Sequence, residues 1–312
     1  MISIVTGGAG FIGSHLVDSL VRRGRDVRVI DNFSSGKMDF LEQHSGSGKV
    51  SIIRADLLKD DIRKHFAGAD EVWHLAANPD VRILDPEIHV NQNLMATKNV
   101  LDAMQSNGIG KISFTSSSTV YGEAVSKGSM VPTPESHSLE PISLYGAMKL
   151  ASEALIGAYC HSYGMQCWLF RFANVIGPRS THGIIFDLIK KLEKDPKILE
   201  ILGDGKQKKS YVYISDCIEA MLTVRENASG RVNIYNIGSD DWIEVRKIAE
   251  LVCKCLGLEP ELQFTGGDRG WKGDVPLMIL DNSKIKELGW KPSMGSEEAV
   301  IKTIRSLGKE NQ

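Results

Sequence analysis

The sequence predicts an α/β protein built on a doubly wound parallel sheet, with a smaller α/β domain behind it. Two observations carry this. The chain opens with a short apolar run, Ile2 to Val5, that breaks into a glycine-rich turn and resumes as a helical stretch from Ser14 to Leu20. Five more strand-like runs follow, spaced widely enough for a helix or crossover between them. Strands that alternate with helices pair in parallel, and the helices cover both faces of the sheet.

In order, Val27 to Ile30 ends at Asp31, Val50 to Arg54 at Asp56, and Glu71 to Leu75 at Ala76-Ala77. Lys111 to Thr115 ends in a serine cluster, and Cys167 to Phe172 ends at Asn174. Ligands on such a sheet lie beyond the carboxyl ends of its strands, where all these polar clusters fall. A Rossmann-type domain is therefore expected over residues 1–173. After Asn174 the rhythm changes. Gly177-Pro178 breaks the chain, Ile184 to Leu192 reads as helix, and Gly203-Asp204-Gly205 reads as a turn. Tyr211 to Ile214 reads as a short strand, with Ser215-Asp216 capping a helix through Val224, and Val245 to Leu256 reads as another helix. Residues 174–312 are expected to form mainly a substrate-binding domain. A segment near 210–240, through Val232 to Ile237, is expected to return to the first domain.

Composition narrows the function. A chain of 312 residues suits two packed domains. With 37 basic and 39 acidic residues it has no excess charge for nucleic acid. No apolar stretch approaches the roughly 20 residues of a membrane helix, and the apolar start lacks a basic leader. The five cysteines, Cys160, Cys167, Cys217, Cys253 and Cys255, are odd in number and lack metal-ligand spacing. They predict reduced thiols, a cytoplasmic location and no metal site. Cys253 and Cys255 read as two partly buried helix residues.

The first turn, Gly7-Gly8-Ala9-Gly10-Phe11-Ile12-Gly13, contains G-x-G-x-x-G at Gly8, Gly10 and Gly13. On this reading the first glycine allows the tight turn, the second lets pyrophosphate approach the backbone, and the third lets helix and strand pack closely. The helix start offers free N–H groups to phosphates. Asp31 lies 18 residues past Gly13, where a carboxylate accepts hydrogen bonds from ribose hydroxyls and repels a 2′-phosphate. NAD is thus favoured over NADP, and Arg28 does not rescue NADP. Asp56 and Leu57 would border the adenine.

Tyr145-Gly146-Ala147-Met148-Lys149 sets a phenol and an ammonium one helical turn apart, after the start signals Pro141 and Ser143. Positive charge nearby, from Lys149 and a nicotinium ring, favours a phenolate, a usable base near neutrality. Lys149 could also bridge the nicotinamide ribose. The cluster Thr115-Ser116-Ser117-Ser118-Thr119 follows the fourth inter-helix strand, where a serine can steady a reacting alkoxide or ketone.

Together these residues resemble an extended short-chain dehydrogenase/reductase of the NAD-dependent epimerase/dehydratase family, most similar to the UDP-glucose (UDP-galactose) 4-epimerases. The motifs are Thr6 to His15, Asp31 to Gly36, His74 to Ala77, Asn91 to Leu101, Ser117 to Gly122, Tyr145 to Lys149 and Arg171 to Pro178. The resemblance implies a catalytic set of Ser117, Tyr145 and Lys149. It implies NAD contacts from Gly7, Gly10, Phe11, Ile12, Gly13, Asp31, Asn32, Phe33, Ser34, Ser35, Gly36, Asp56, Leu57, Leu75, Ala76, Ala77 and Asn93, besides Tyr145 and Lys149. The nucleotide sugar would meet Ser117, Thr119, Tyr145, Asn174, Lys209 and Arg269, with Thr181 and His182 as further liners and Trp271 against uracil or packed.

The resemblance also implies a homodimer through a four-helix interface formed by residues 85–106 and 145–162. Leu94, Val100, Leu101, Ala154, Leu155 and Ala158 are its apolar candidates. Two departures matter. Lys209-Ser210 stands where the family usually has Arg-Asp, a point charge without the guanidinium fork. Ser118 and Thr119 stand where dehydratases carry an Asp-Glu pair, which favours epimerisation. Rival readings are a UDP-glucuronate or UDP-N-acetylhexosamine 4-epimerase, an NAD-dependent nucleotide-sugar reductase, and an NAD-sensing scaffold without turnover.

Overall fold

The structure, a computed structural model, describes residues 1–123 and 132–310. The first half carries β1 (Ile2–Thr6), α1 (Phe11–Arg22), β2 (Asp26–Asp31), β3 (Val50–Arg54), β4 (Glu71–His74), α2 (Pro86–His89), α3 (Ala96–Ser106), β5 (Lys111–Ser117), α4 (Leu144–Tyr163) and β6 (Gln166–Phe172). The second carries β7 (Asn174–Ile176), α5 (Ile184–Lys194), β8 (Ile198–Ile201), β9 (Lys208–Lys209), β10 (Tyr211–Tyr213), α6 (Ile214–Asn227), β11 (Val232–Ile237) and β12 (Ile243–Glu244). It ends with α7 (Val245–Leu256), β13 (Glu261–Phe264), β14 (Leu277–Met278), α8 (Ser283–Lys286) and α9 (Ser296–Glu310).

Seven strands form one parallel sheet in the order β3-β2-β1-β4-β5-β6-β11. The expected Rossmann-type sheet is present. β4 is buried along its whole length and β1 over its last four residues, as strands covered on both faces must be. On one face Val5, Val29 and Phe170 pack with Leu16 and Leu20 of α1 and Met221 of α6. That core continues without a break into Ile189, Ile248 and Ile304 of the C-terminal helices. On the other face Ile4, Val72, Ile112 and Leu169 pack against Val100, Leu101 and Met104 of α3 and Ile156 of α4. Strand order reverses between β1 and β4, which opens a crevice at their carboxyl ends.

Some local expectations change. Ile214 begins α6 instead of ending a strand. The helix takes no side-chain cap from Ser215 or Asp216, and the Asp216 carboxylate accepts from the Ser293 backbone and hydroxyl instead. The helical run over 85–106 is divided by a π-helical stretch, Val90–Met95. Val100 and Leu101 are fully buried on the sheet and cannot face a partner, whereas Ala154 and Ala158 are exposed. Cys253 is buried but Cys255 is exposed, and all five thiols are free. Among the described residues no helix is long and apolar enough to cross a membrane, and no group of side chains is placed to hold a metal ion.

Candidate active site

A cavity of about 1190 Å³ runs from the glycine turn, past the ends of β5 and β6, to the C-terminal half. At its first end the turn needs glycine for reasons of space. Gly7 has φ +69°, and a Cβ there would lie 2.7 Å from the Ala76 nitrogen. Gly7, not Gly8, is therefore the left-handed residue of the turn. Gly8 packs toward Val29, where a Cβ would come within 2.9 Å of a methyl. A Cβ on Gly13 would collide with the Gly7 carbonyl. Gly10 has no such internal reason, since its nearest neighbour would be the Gly7 oxygen at 3.2 Å, and its bare face lines the cavity. α1 begins directly after it, with no side-chain cap and no acid in the first turn. Its first N–H groups are left for an anion.

Asp31 is mostly buried and ties this turn to the loop after β2: Ala9 N–H donates to it at 2.9 Å and Phe33 N–H at 2.8 Å. Each carboxylate oxygen keeps a second lone pair for a ribose hydroxyl. Arg28 is held by the His65 and Ala67 carbonyls. Asn32, Ser34, Ser35, Asp56, Leu57, Leu75, Ala76 and Ala77 line the cavity with Phe11 and Ile12. Three expected contacts do not. Phe33 lies under the Arg54 guanidinium, 5.3 Å from its ring centre. Gly36 packs against Ala9, and Asn93 is buried, its amide bonding the Asn78 backbone on both sides. Asn93 therefore shapes the Asn78 loop, which itself lines the cavity. A bare glycine, an uncapped helix start and a carboxylate at the second strand's end fit NAD.

The middle of the cavity joins Ser117, Thr119, Tyr145 and Lys149. Ser117 ends β5 in extended backbone and caps the turn that follows, accepting from Thr119 N–H at 3.2 Å and the Thr119 hydroxyl at 3.0 Å. Ser143 caps α4 by accepting from Gly146 N–H at 3.1 Å. Gly146 lets α4 approach this turn, since a Cβ there would be 2.6 Å from the Thr119 carbonyl oxygen. Ser117 thereby reaches Tyr145. Burial pushes the Tyr145 phenol up to about 12, and its hydrogen bond with Ser117 works against the rise. Lys149 is 2% exposed and donates to the Thr115 carbonyl at 2.7 Å, with Nζ 5.7 Å from the Tyr145 ring centre. Burial pulls it down to about 7, and the Glu153 carboxylate pulls the other way. The expected phenolate draws on Lys149 and a nicotinium ring together; in the chain by itself burial outweighs the Ser117 hydrogen bond at Tyr145 and the Glu153 charge at Lys149.

Beneath this set lies a network that sequence reasoning missed. Glu153, one turn beyond Lys149, takes Arg171 at 2.7 Å and the Ser116 hydroxyl at 2.5 Å. Arg171 also donates to the Tyr121 hydroxyl at 3.0 Å, and that hydroxyl donates to Asn236 at 2.7 Å. Helix α4, the end of β5 and the following turn are thereby fixed to one another. The available signal was an acid and a base at otherwise apolar positions. His74 is fully buried between Thr6 and Thr97, and burial, with repulsion from Lys149, holds it neutral with a pKa of about 3.

At the far end, β10 pairs with β7, setting Tyr211 beside Asn174, whose amide donates to the Ser210 carbonyl at 3.1 Å. Lys209 lines the cavity, ion-paired with Asp274 and 4.6 Å from the Trp271 ring centre. Arg269 does not line it: its guanidinium meets Glu123 and donates to the Asp274 carbonyl at 2.7 Å. Trp271, Thr181 and His182 line the wall. Gln207 also lines it, and its buried Oε1 has no hydrogen-bond partner among the described residues.

Fold and cavity first define the class, an NAD-dependent α/β enzyme of the short-chain dehydrogenase/reductase type. The chain belongs to the NAD-dependent epimerase/dehydratase family, whose sequence signature matches residues 3–238. A putative UDP-glucose 4-epimerase of Methanocaldococcus jannaschii is 31% identical over 99% of both chains. A solved UDP-galactose 4-epimerase structure matches with a TM-score of 0.89 and 42% identity, covering 100% of both chains. A UDP-glucuronic acid 4-epimerase from Bacillus cereus, solved with UDP-glucuronic acid and NAD, matches with a TM-score of 0.89 at 28% identity, covering 99% of this chain and 100% of that one.

Proposed function

We propose that this protein is a UDP-hexose 4-epimerase that interconverts UDP-glucose and UDP-galactose by transient oxidation at sugar C4. The observation that carries the reading is the convergence of Ser117, Tyr145 and Lys149 on one cavity with the glycine turn, Asn174 and Lys209. Similarity to proteins named for 4-epimerisation supports it. Ser118 and Thr119 support it too, since neither is an acid-base pair for eliminating water.

NAD⁺, held along the glycine turn and Asp31, would supply the hydride acceptor and donor together with a positive charge near the phenol. Tyr145 takes the proton of the C4 hydroxyl and, once the sugar has turned the other face of C4 toward the hydride donor, returns the proton to O4. Ser117 donates to O4, where charge develops. Lys149 would hold the nicotinamide ribose and, when protonated, favours the phenolate. Asn174 and Lys209 hold the diphosphate while the 4-keto sugar turns. Arg269 would reach the diphosphate only by leaving Glu123 and the Asp274 carbonyl. On the same reading two copies associate through the π-helical stretch Val90–Met95 and the outer face of α4, using Leu94, Ala154, Leu155 and Ala158. The free thiols suit a reducing cytoplasm.

The test is proton NMR of the purified protein with UDP-glucose, UDP-glucuronate and UDP-N-acetylglucosamine in turn, without added cofactor. Inversion at C4 of UDP-glucose, faster than of the other two, is the expected result. Preference for another sugar moves the protein to that substrate, and dependence on stoichiometric NADH makes it a reductase. No C4 change in any of them removes the epimerase reading.

A further inference from the structure

We infer that His89 is a positioning residue for Tyr145: its imidazole, locked by two hydrogen bonds, fixes the phenol ring that must reach the sugar. This rests on the reading of Tyr145 as the group that moves the C4 proton, and deepens it. His89 ends α2 and is fully buried. Its ring centre lies 6.2 Å from that of Tyr145 at an interplanar angle of 66°, an edge-to-face contact. Two other neighbours of Tyr145 are themselves pinned, Ser117 by Thr119 N–H and Lys149 by the Thr115 carbonyl. His89 completes that set.

The hydrogen bonds of His89 follow from their partners. Asn78 N–H can only donate, so the Asn93 atom 2.7 Å from it is the amide oxygen. The Asn93 nitrogen therefore faces His89 Nδ1, 3.1 Å away, and donates to it. Nδ1 is thus the acceptor, and the ring proton sits on Nε2, which donates to the Ile83 carbonyl at 3.1 Å. The imidazole is neutral. Turned over, it would put C–H where both nitrogens bond, so it has one orientation. Burying such a ring is costly unless both nitrogens are paired. An apolar side chain would fill the space without that cost, so the paired ring serves orientation and not volume. The lock also joins Tyr145 to the cavity wall. Ile83 closes a turn, its N–H donating to the Asp80 carbonyl at 3.3 Å. Asp80, Val81 and Arg82 of that turn line the cavity. Asn93 holds Asn78, at the other end of the loop, through both backbone groups. His89 thereby sets wall and phenol at a fixed separation, where a shift of about 1 Å costs about a hundredfold in rate.

The test compares His89→Leu, His89→Phe and His89→Gln with wild type, by initial rates of UDP-galactose conversion across pH on the NAD-bound protein, with melting temperature as the check on folding. Leucine keeps the bulk and phenylalanine keeps the ring, but neither can bond to Ile83 or Asn93. Both should lower kcat about ten- to a hundredfold while KM changes by less than about twofold. Glutamine sets an N–H near the Nε2 position, so His89→Gln should return kcat to within about fivefold of wild type. The acid limb of kcat should stay in place throughout, because no charge is removed. Wild-type kcat in His89→Phe makes the ring a space-filler and overturns the assignment. So does a His89→Gln no faster than the apolar variants, a loss that falls in KM instead, or a displaced acid limb. Should both apolar variants fail to fold, His89→Asn, too short to reach Ile83, takes their place against His89→Gln with the same expectations. Wild-type turnover with kcat unmoved by these substitutions removes His89 alone. If wild type converts no UDP-hexose, the reading of Tyr145 falls and takes this one with it.

Discussion

Replacing Lys149 by Met tests whether this buried lysine supplies charge or merely fills space. Its Nζ is 5.7 Å from the centre of the Tyr145 ring. At an effective dielectric constant of about 20, a unit charge at that separation favours the phenolate by roughly 3 kcal/mol. At about 1.4 kcal/mol per pH unit, that is about 2 units. Burial, partly offset by the Ser117 hydrogen bond, has already pushed the phenol up to about 12. Where Lys149 keeps its proton, below its own value of about 7, removing the cation raises the phenol further, so the acid limb of kcat should move toward higher pH by up to about 2 units, with a loss of up to about a hundredfold that fades as pH rises through 7. Methionine keeps the volume, so packing changes little. The assay is the initial rate of UDP-galactose conversion by NMR across the neutral range, with NAD at saturation to offset the lost ribose contact. An acid limb in the wild-type place, with measurable turnover, would refute the electrostatic role.

The same substitution has a stability signature. Lys149 falls from an ordinary 10.5 to about 7 on folding, so between those values the unfolded chain holds a proton that the native one lacks. Stability from this group therefore rises with pH across that window and is lowest below it, and urea titrations of cofactor-free Lys149→Met should lose the slope. Tyr145→Phe should cost about 10²–10⁴ in kcat or more while NAD stays bound, as read from absorbance of the purified protein; near-normal turnover removes Tyr145 from the proton transfer. Gly146→Ala should destabilise by about 1–3 kcal/mol and lower kcat, because its Cβ would drive α4 off the Thr119 carbonyl; a melting temperature equal to wild type contradicts the close packing. Asp31→Asn should weaken NAD and raise the NADP-to-NAD affinity ratio by about tenfold, since a carboxylate that repels the 2′-phosphate is gone; an unchanged ratio in direct binding excludes it as the selector.

What was legible in the sequence follows from period and position. Apolar runs that end in polar clusters mark parallel strands and their ligand-facing ends. Thus Asp31, Ser117 and Asn174 could be placed from one chain, and Val232–Ile237 could be expected beside the first sheet. Side-chain direction was not legible. Phe33 and Gly36 share a loop with residues that line the cavity, yet they face Arg54 and Ala9. Asn93 turns inward because the π-helical stretch resets which residues face the sheet. Strands of two to four residues, such as β9, β12 and β14, are too short to show alternation. The pairing of Lys209 with Asp274, like that of Arg269 with Glu123, joins residues far apart in the chain, and no local pattern announces it.

The two ends of the cavity are built differently, and the proposed chemistry needs that difference. A ketone that turns over must not be held by its ring. The catalytic middle accordingly presents short donors: Ser117 and Thr119 on a turn, and one phenol. Their rigidity comes from below the site, through Glu153, Ser116 and Arg171, none of which grips a sugar. Retention must then come from the nucleotide. Lys209 is already paired with Asp274, so a diphosphate gains less from it than from a free cation and must share it. The nucleoside therefore has to contribute, and the apolar wall of Leu188, Ile201 and Leu202 offers the surface through which it can.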